Sequence, residues 1–390
     1  MTIGLTSRAV VSTCAICAAG LLALAPAAVA ARAGADPRAP GGPRVAAPQP
    51  SLLDHPGTQV RPRAGAPEVP HVSALSWLVA DARSGEVLAA HNAHRKLPPA
   101  STLKTLFALT VLPALPGGIR HTVREKDLTG IGDGSSQVGV VEGRTYRVAD
   151  LWRGVFLNSG NDAVHVLAEL SGGWRSTAAR MQAKARSLGA HDTRVLSPDG
   201  YDTPGQVSSA YDLAVFGRAG LRNADFARYC GTVEARFPDG AKGSYPIRNT
   251  NRLLSGEDGV EPYPGLVGIK NGYTSKAGNT LVAAARRGGR TLVVTVMNPQ
   301  AGGGVAVYEE ARELLDWGFD ADGRVEPVGS LETPRAGSQA GPAPLPSAAA
   351  PVDGSGADWS QTGAITGAAG LGAGAVALAL RTKVGRSARS

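Results

Sequence analysis

Pro98-Pro99-Ala100-Ser101-Thr102-Leu103-Lys104-Thr105-Leu106-Phe107-Ala108-Leu109 decides how the rest of the chain is read. Two prolines disfavour helix before Ala100 and set a boundary there. Beyond it Leu103, Leu106, Phe107, Leu109 and Val111 recur with helical period. Ser101 is therefore expected at a helix N-terminus, with Lys104 one turn on and on the same face. Free N–H groups at a helix start favour negative charge developing beside Ser101. A serine with an amine as its base needs no histidine. Alone, Ser-x-x-Lys reads more readily as an N-cap followed by a surface lysine, and the rest of the chain reverses that order.

Two later segments bear on it. Leu157-Asn158-Ser159-Gly160-Asn161 is a short polar turn between predicted helices at 148–156 and 162–170. It offers a hydroxyl and an amide for moving a proton and holding a substrate amide. Gly265 to Thr274 reads as a strand on which Lys270, Gly272 and Thr274 share one face. Gly272 lets a substrate backbone come close, and Lys270 and Thr274 offer donors for a carboxylate. Lys270 is also a cation able to depress the pKa of Lys104.

Around these segments the pattern is mixed α and β. Strands are expected at 74–81 and 86–90 about a turn at 82–85, and helices at 175–188 and 208–220. An antiparallel meander is expected at 265–274, 279–286 and 291–297, closed by a helix at 305–317. Elements from both ends of the region are expected in one antiparallel sheet flanked by helices, with the central helices as a second lobe, an α+β fold.

The chain ends differ from this middle. Residues 1–30 combine Arg8, an apolar run from Ala9 to Ala25, and Ala28-Val29-Ala30, the three parts of a secretory signal peptide. Residues 31–70 hold nine prolines and read as an extended Pro-rich linker. Residues 321–361 read as a disordered linker. Thr362 to Leu380 is 19 residues without a charge, followed by Arg381, Lys383, Arg386 and Arg389. That length spans a bilayer core of roughly 30 Å, and the basic tail at 381–390 fits a cytoplasmic end. The expected protein is secreted across the bacterial cell membrane and anchored to it by a transmembrane helix at 362–380, with residues 71–320 as an extracytoplasmic catalytic domain.

The net charge of +8 is diffuse: residues 71–320 carry 28 basic and 24 acidic side chains. Without a basic patch or motif, nucleic acid is not an expected partner. Of Cys14, Cys17 and Cys230 only the last survives signal cleavage, so no intrachain disulfide is expected. His91 and His94 form the only close histidine pair and lack a third ligand, so neither a metal nor another cofactor is expected.

Ser101-Thr102-Leu103-Lys104, Ser159-Gly160-Asn161 and Lys270-Asn271-Gly272 together resemble the three-motif set of penicillin-binding proteins and serine β-lactamases. The flanks 95–104, 135–139, 157–163 and 268–274 resemble the serine D-alanyl-D-alanine carboxypeptidases, the low-molecular-mass penicillin-binding proteins. The resemblance covers residues 72–320. It implies a β-lactamase/transpeptidase-like fold and removal of terminal D-alanine from a peptidoglycan stem peptide through an acyl-enzyme on Ser101, with β-lactams as inhibitors. It further implies Lys104 as general base and Ser159 as proton relay. Asn161, Lys270, Asn271, Gly272, Tyr273 and Thr274 are then substrate-binding residues, with the N–H groups of Ser101 and Tyr273 as the oxyanion hole. The sequence departs from the family at Asn271, where Thr is usual. It also has no room in 321–360 for the β-rich domain that many relatives carry. A β-lactamase, for which Glu142 or Glu169 would have to serve deacylation, and a D,D-endopeptidase share the machinery. An inactive cell-wall-binding module is the reading of another class.

Overall fold

A computed structural model of the protein describes residues 50–239 and 243–332. In chain order the elements begin with β1 (Thr58–Pro62), β2 (Ala74–Asp81) and β3 (Glu86–His91). A 3-10 turn, Ala100–Leu103, runs into α1 (Lys104–Val111), followed by β4 (Arg120–Thr122) and β5 (Thr145–Arg147). The helices α2 (Val148–Leu157), α3 (Asn161–Leu170), α4 (Trp174–Ser187), α5 (Ala210–Leu221) and α6 (Ala224–Cys230) come next. The hairpin β6 (Glu234–Pro238) and β7 (Ser244–Arg248) leads to the short α7 (Arg252–Ser255). The meander β8 (Leu266–Thr274), β9 (Gly278–Arg287) and β10 (Arg290–Pro299) precedes α8 (Ala306–Asp320), β11 (Val325–Glu326) and β12 (Gly329–Ser330).

The main sheet is antiparallel, in the order β11-β1-β3-β2-β10-β9-β8, with β12 also paired to β3. The expected meander is present, and β10 pairs with β2, so strands from the two chain ends lie side by side. Alternation along each strand sends side chains to opposite faces. Leu78 and Ala80 of β2 join one core and Trp77 and Val79 the other. On the second face α8 buries Val307, Ala311, Leu314 and Leu315, an i, i+4, i+7, i+8 stripe, against β9 and β10. On the first face α5 packs on the sheet and α1 packs on α5 and α4. The Phe107 and Trp152 rings, with centroids 5.4 Å apart, tie α1 to α2. Each such buried aromatic contributes about 1.5–3 kcal/mol.

The folded unit is larger than 71–320. Strand β1 lies within the stretch expected as a linker, and β11 and β12 lie within 321–361. The Pro-rich composition hides them because β1 contributes main-chain pairing rather than buried side chains. Thr58, Gln59 and Val60 pair with β3, and Arg61 and Pro62 with β11. The segments expected as signal peptide, membrane helix and basic tail lie outside the described residues. Among the described residues no helix is long and apolar enough to cross a membrane.

Candidate active site

The turn that carries Ser101 is under backbone strain. Ala100 has φ +47°, a left-handed conformation that costs a non-glycine residue about 1–2 kcal/mol. Two hydroxyls hold the turn at Pro99, whose carbonyl accepts from Thr102 Oγ1 at 2.5 Å and Thr280 Oγ1 at 3.0 Å. The result sets Ser101 at the mouth of a cavity of about 350 Å³, with Lys104 buried beneath it.

Lys104 Nζ donates to Ser101 Oγ at 2.8 Å and to the main-chain carbonyl of Asp199 at 2.7 Å. Burial strips water from the ammonium and brings the Lys104 pKa down to about 8, against the opposing pull of Asp199 and Asp162. Lys270 is equally buried. Burial first, and the nearby Lys104 charge second, hold its pKa well below the ordinary lysine value. Its Nζ donates to the Asn271 carbonyl at 2.9 Å.

The turn between α2 and α3 delivers Ser159 and Asn161. Ser159 has φ +57°, which swings the chain between two helices packed on each other. Ser159 Oγ and Asn161 Oδ1 are buried without a hydrogen-bond partner among the described residues. Buried polar atoms are normally paired, so the pair is available to a ligand. Asp162, next in the chain, accepts from the N–H groups of Val138, Gly139 and Val140 at 2.7–2.9 Å. It thereby fixes the segment whose Ser135 and Ser136 line the cavity.

Strand β8 forms the other wall. A Cβ on Gly272 would lie 2.6 Å from Ser101 N and 3.0 Å from Ala100 Cβ, so only glycine lets the strand meet the nucleophile's turn. Asn271 lies on the other face of the strand. Its Oδ1 accepts from Thr250 Oγ1 at 3.0 Å, and its Nδ2 donates to the Tyr308 hydroxyl at 3.1 Å. The Tyr273 side chain is 67% exposed.

Thr274 lines the cavity, where a carboxylate donor is expected. Its hydroxyl donates to Asp202 Oδ1 at 2.7 Å, and a hydroxyl has one proton to give. Asp202 is a cavity-lining residue that sequence reasoning missed. So is the loop that bears it. Gln206 Oε1 accepts from Leu196 N and Ser197 N, and its Nε2 donates to Ser197 Oγ and the Tyr201 carbonyl. This closed loop presents the Asp199 carbonyl to Lys104 and the Asp202 carboxylate to β8. The only available signal was the polar run Ser197-Pro198-Asp199-Gly200, which marks a turn but not its partner.

Glu142 and Glu169 do not line the cavity; Glu169 instead accepts from Trp174 N at 3.3 Å. His91 is bonded to Thr58 and His94 to Asp192. The arrangement brings together a nucleophile, a base of depressed pKa, a second buried amine and unpaired polar groups within one cleft. It is equipped for acyl transfer through serine.

Comparison with known proteins agrees with that chemistry. The family model described as D-alanyl-D-alanine carboxypeptidase matches residues 63–301. A Mycobacterium tuberculosis D-alanyl-D-alanine carboxypeptidase, DacB2, is 40% identical over 274 residues, covering 69% of this chain and 89% of that protein. The Escherichia coli carboxypeptidase DacD is 34% identical over 264 residues, and the match spans 65% of this chain and 64% of DacD. Among solved structures, a D-alanyl-D-alanine carboxypeptidase from Mycobacterium tuberculosis superposes with a TM-score of 0.63 at 40% identity, covering 70% of this chain and all of that one. The Streptomyces K15 DD-transpeptidase does so with a TM-score of 0.60 at 26% identity, covering 65% of this chain and 99% of that one.

Proposed function

The chain belongs to the D-alanyl-D-alanine carboxypeptidase family, and from that membership we propose that it removes the terminal D-alanine from peptidoglycan stem peptides through an acyl-enzyme on Ser101. The neutral fraction of Lys104 takes the Ser101 proton. Ser101 Oγ then attacks the carbonyl carbon of the penultimate D-alanine. The resulting oxyanion is received by the N–H groups of Ser101 and Tyr273, a donor of this kind being worth about 3 kcal/mol in the transition state. Ser159 relays the proton to the departing amine, so the C–N bond breaks and D-alanine leaves. Asn161 holds the substrate amide, and Lys270 faces its terminal carboxylate. Water then splits the ester and restores the serine. β-Lactams enter the same route and stop at the acyl-enzyme.

The observation that carries this reading is the 2.8 Å contact of Ser101 Oγ with a buried Lys104 whose pKa is brought down to about 8. Thr274 enters as a positioning group, since its proton is committed to Asp202. The test is intact mass after exposure to benzylpenicillin, beside Ser101→Ala, followed by assay of D-alanine release from a D-Ala-D-Ala peptide. A long-lived penicilloyl adduct on the wild type alone, with D-alanine release, is expected. Rapid β-lactam hydrolysis without an adduct would turn the reading to a β-lactamase. Folded protein that does neither would overturn the nucleophile.

On the sequence alone, we further infer export through residues 1–30 and anchoring through 362–380. Protease accessibility of the domain in intact cells, and its release on deletion of 362–390, are the expected results.

A further inference from the structure

The strands that reach the catalytic cavity lead, at their other ends, to a second feature. Thr274 of β8 lines the catalytic cavity and pairs with Gly278, where β9 begins. Strand β9 then runs ten residues to Arg287 and turns into β10. At about 3.4 Å per residue its two ends lie about 30 Å apart. At the far end a cleft of about 880 Å³ opens between the β2–β3 turn, the β9–β10 turn and the end of α5. Five arginines line it, Arg83, Arg218, Arg222, Arg286 and Arg290, against the carboxylates of Asp81, Glu86 and Asp322.

Two of these arginines are committed. Arg290 bridges Asp81 at 2.8 Å and Asp322 at 2.5 Å. The buried Arg218 donates to the carbonyls of Ala82 and Arg83 at 2.9 and 2.8 Å and pairs with Glu332 at 3.0 Å. Arg83, Arg222 and Arg286 are exposed, and none of the three has a carboxylate partner among the described residues. Arg286 makes one long bond, from Nε to Thr291 Oγ1 at 3.3 Å. Gly288 and Gly289 leave the cleft open beside it, since a Cβ on either would meet nothing within 4 Å. Three such guanidiniums around an open cleft suit phosphate, whose oxygens match the planar fork of donors.

We propose that this cleft docks the domain on an anionic membrane surface, with Arg83, Arg222 and Arg286 receiving the phosphates of lipid headgroups. Lipid is the source of those phosphates because of where the chain leaves the domain. Glu332, the last described residue, is held by Arg218 in the cleft wall, and the chain continues from it through 333–361 to the stretch 362–380. The inference rests on the anchoring through 362–380 proposed above. The root of the tether and the surplus of positive charge then share one end of the molecule. Attraction to charged headgroups fades within about 8 Å at physiological salt, so the cavity end of the sheet does not compete for the surface. Docked in this way, the domain turns the mouth beside Ser101 away from the bilayer by the length of the sheet, towards the peptidoglycan.

The purified full-length protein is incorporated into vesicles of phosphatidylcholine, or of phosphatidylcholine and phosphatidylglycerol in equal parts. Amide hydrogen exchange is then followed by mass spectrometry. In the mixed vesicles, segments 82–86 and 286–290 are expected to exchange about fivefold more slowly than in phosphatidylcholine, and segment 133–136 at the catalytic cavity to be unchanged. The triple variant Arg83→Gln, Arg222→Gln, Arg286→Gln keeps the basic tail at 381–390. It is expected to lose the difference while releasing D-alanine from a soluble peptide at the wild-type rate. Equal exchange in the two lipids overturns the inference, and so does a folded triple variant that keeps the difference. Slowing of the same segments by soluble poly(glycerol phosphate) in phosphatidylcholine vesicles, without an effect of phosphatidylglycerol, assigns the cleft to a wall polymer and overturns the lipid. Protein that fails to float with phosphatidylcholine vesicles overturns the anchor instead. The cleft is then judged by flotation with the mixed vesicles, where the wild type is expected to float and the triple variant to stay behind, and equal behaviour of the two overturns it.

Discussion

On the proposed mechanism Lys104 has two opposed duties, to stay buried and to be neutral so that it can take a proton. As a base it works in its neutral form, and the neutral fraction grows as pH rises through about 8. Acylation by benzylpenicillin is therefore expected to climb with pH through about 8 and level off above it, as followed by adduct mass against time. The same residue weighs on stability. Between about pH 8 and the ordinary lysine value the folded chain binds fewer protons than the unfolded one, so stability rises with pH across that window. Below it the full cost of burying the charge is present, about 3–4 kcal/mol. Lys104→Met removes that cost but leaves the Asp199 carbonyl without its donor. The expected outcome is a variant without activity, more stable by about 1–2 kcal/mol at pH 7, whose advantage shrinks as pH rises from 8 to 10.5 in thermal melts. Ser101, Lys104, Ser159, Asn161 and Lys270 were legible because side-chain chemistry at fixed spacing leaves a mark in sequence. The Asp199 contact was not legible, because the acceptor is a carbonyl that every residue carries.

Among the elements, the loop from Leu196 to Gln206 is one of the pieces that sequence reading left unassigned, and the one that reaches the cavity. Its bonds are made by main-chain groups and the polar side chains of Ser197, Asp199, Thr203 and Gln206, with no apolar period to reveal them. Gly200 is its point of closest approach. With φ +82°, a Cβ there would lie 2.1 Å from the Ala100 carbonyl oxygen. Gly200→Ala is expected to push the loop away from the nucleophile's turn and lower acylation at least tenfold, measured as the rate of penicilloyl adduct formation. Asp202→Ala acts at the loop's other end. It frees the Thr274 hydroxyl and removes the acceptor for Ser275 Oγ and Lys276 N. Its expected effect is a raised KM for D-Ala-D-Ala peptide with the fold intact, checked by steady-state kinetics beside circular dichroism. The helices and the meander were legible at this scale because their apolar residues recur with the right period. Strand β8 was legible for a second reason: its glycine and lysine sit in one motif.

For the whole molecule, composition misplaced the borders. The prolines of 31–70 suggested an extended linker, yet β1 completes the sheet by main-chain pairing with β3 and β11. Leu53 and Val328 are buried beside it. A fragment starting at residue 71 is therefore expected to melt at lower temperature than one starting at residue 50, or to aggregate on expression. The sheet also pairs β2, from the early part of the chain, with β10, and the Ser101 turn packs on β8 and β9. A ribosome delivers the serine long before it delivers Gly272 and Tyr273. Until the meander has emerged there is no β8 wall beside the serine, so a chain truncated before residue 266 is expected to form no acyl-enzyme. On the proposed mechanism, catalysis waits for the last third of the polypeptide, so the nucleophile and the wall that completes its site are delivered apart in time.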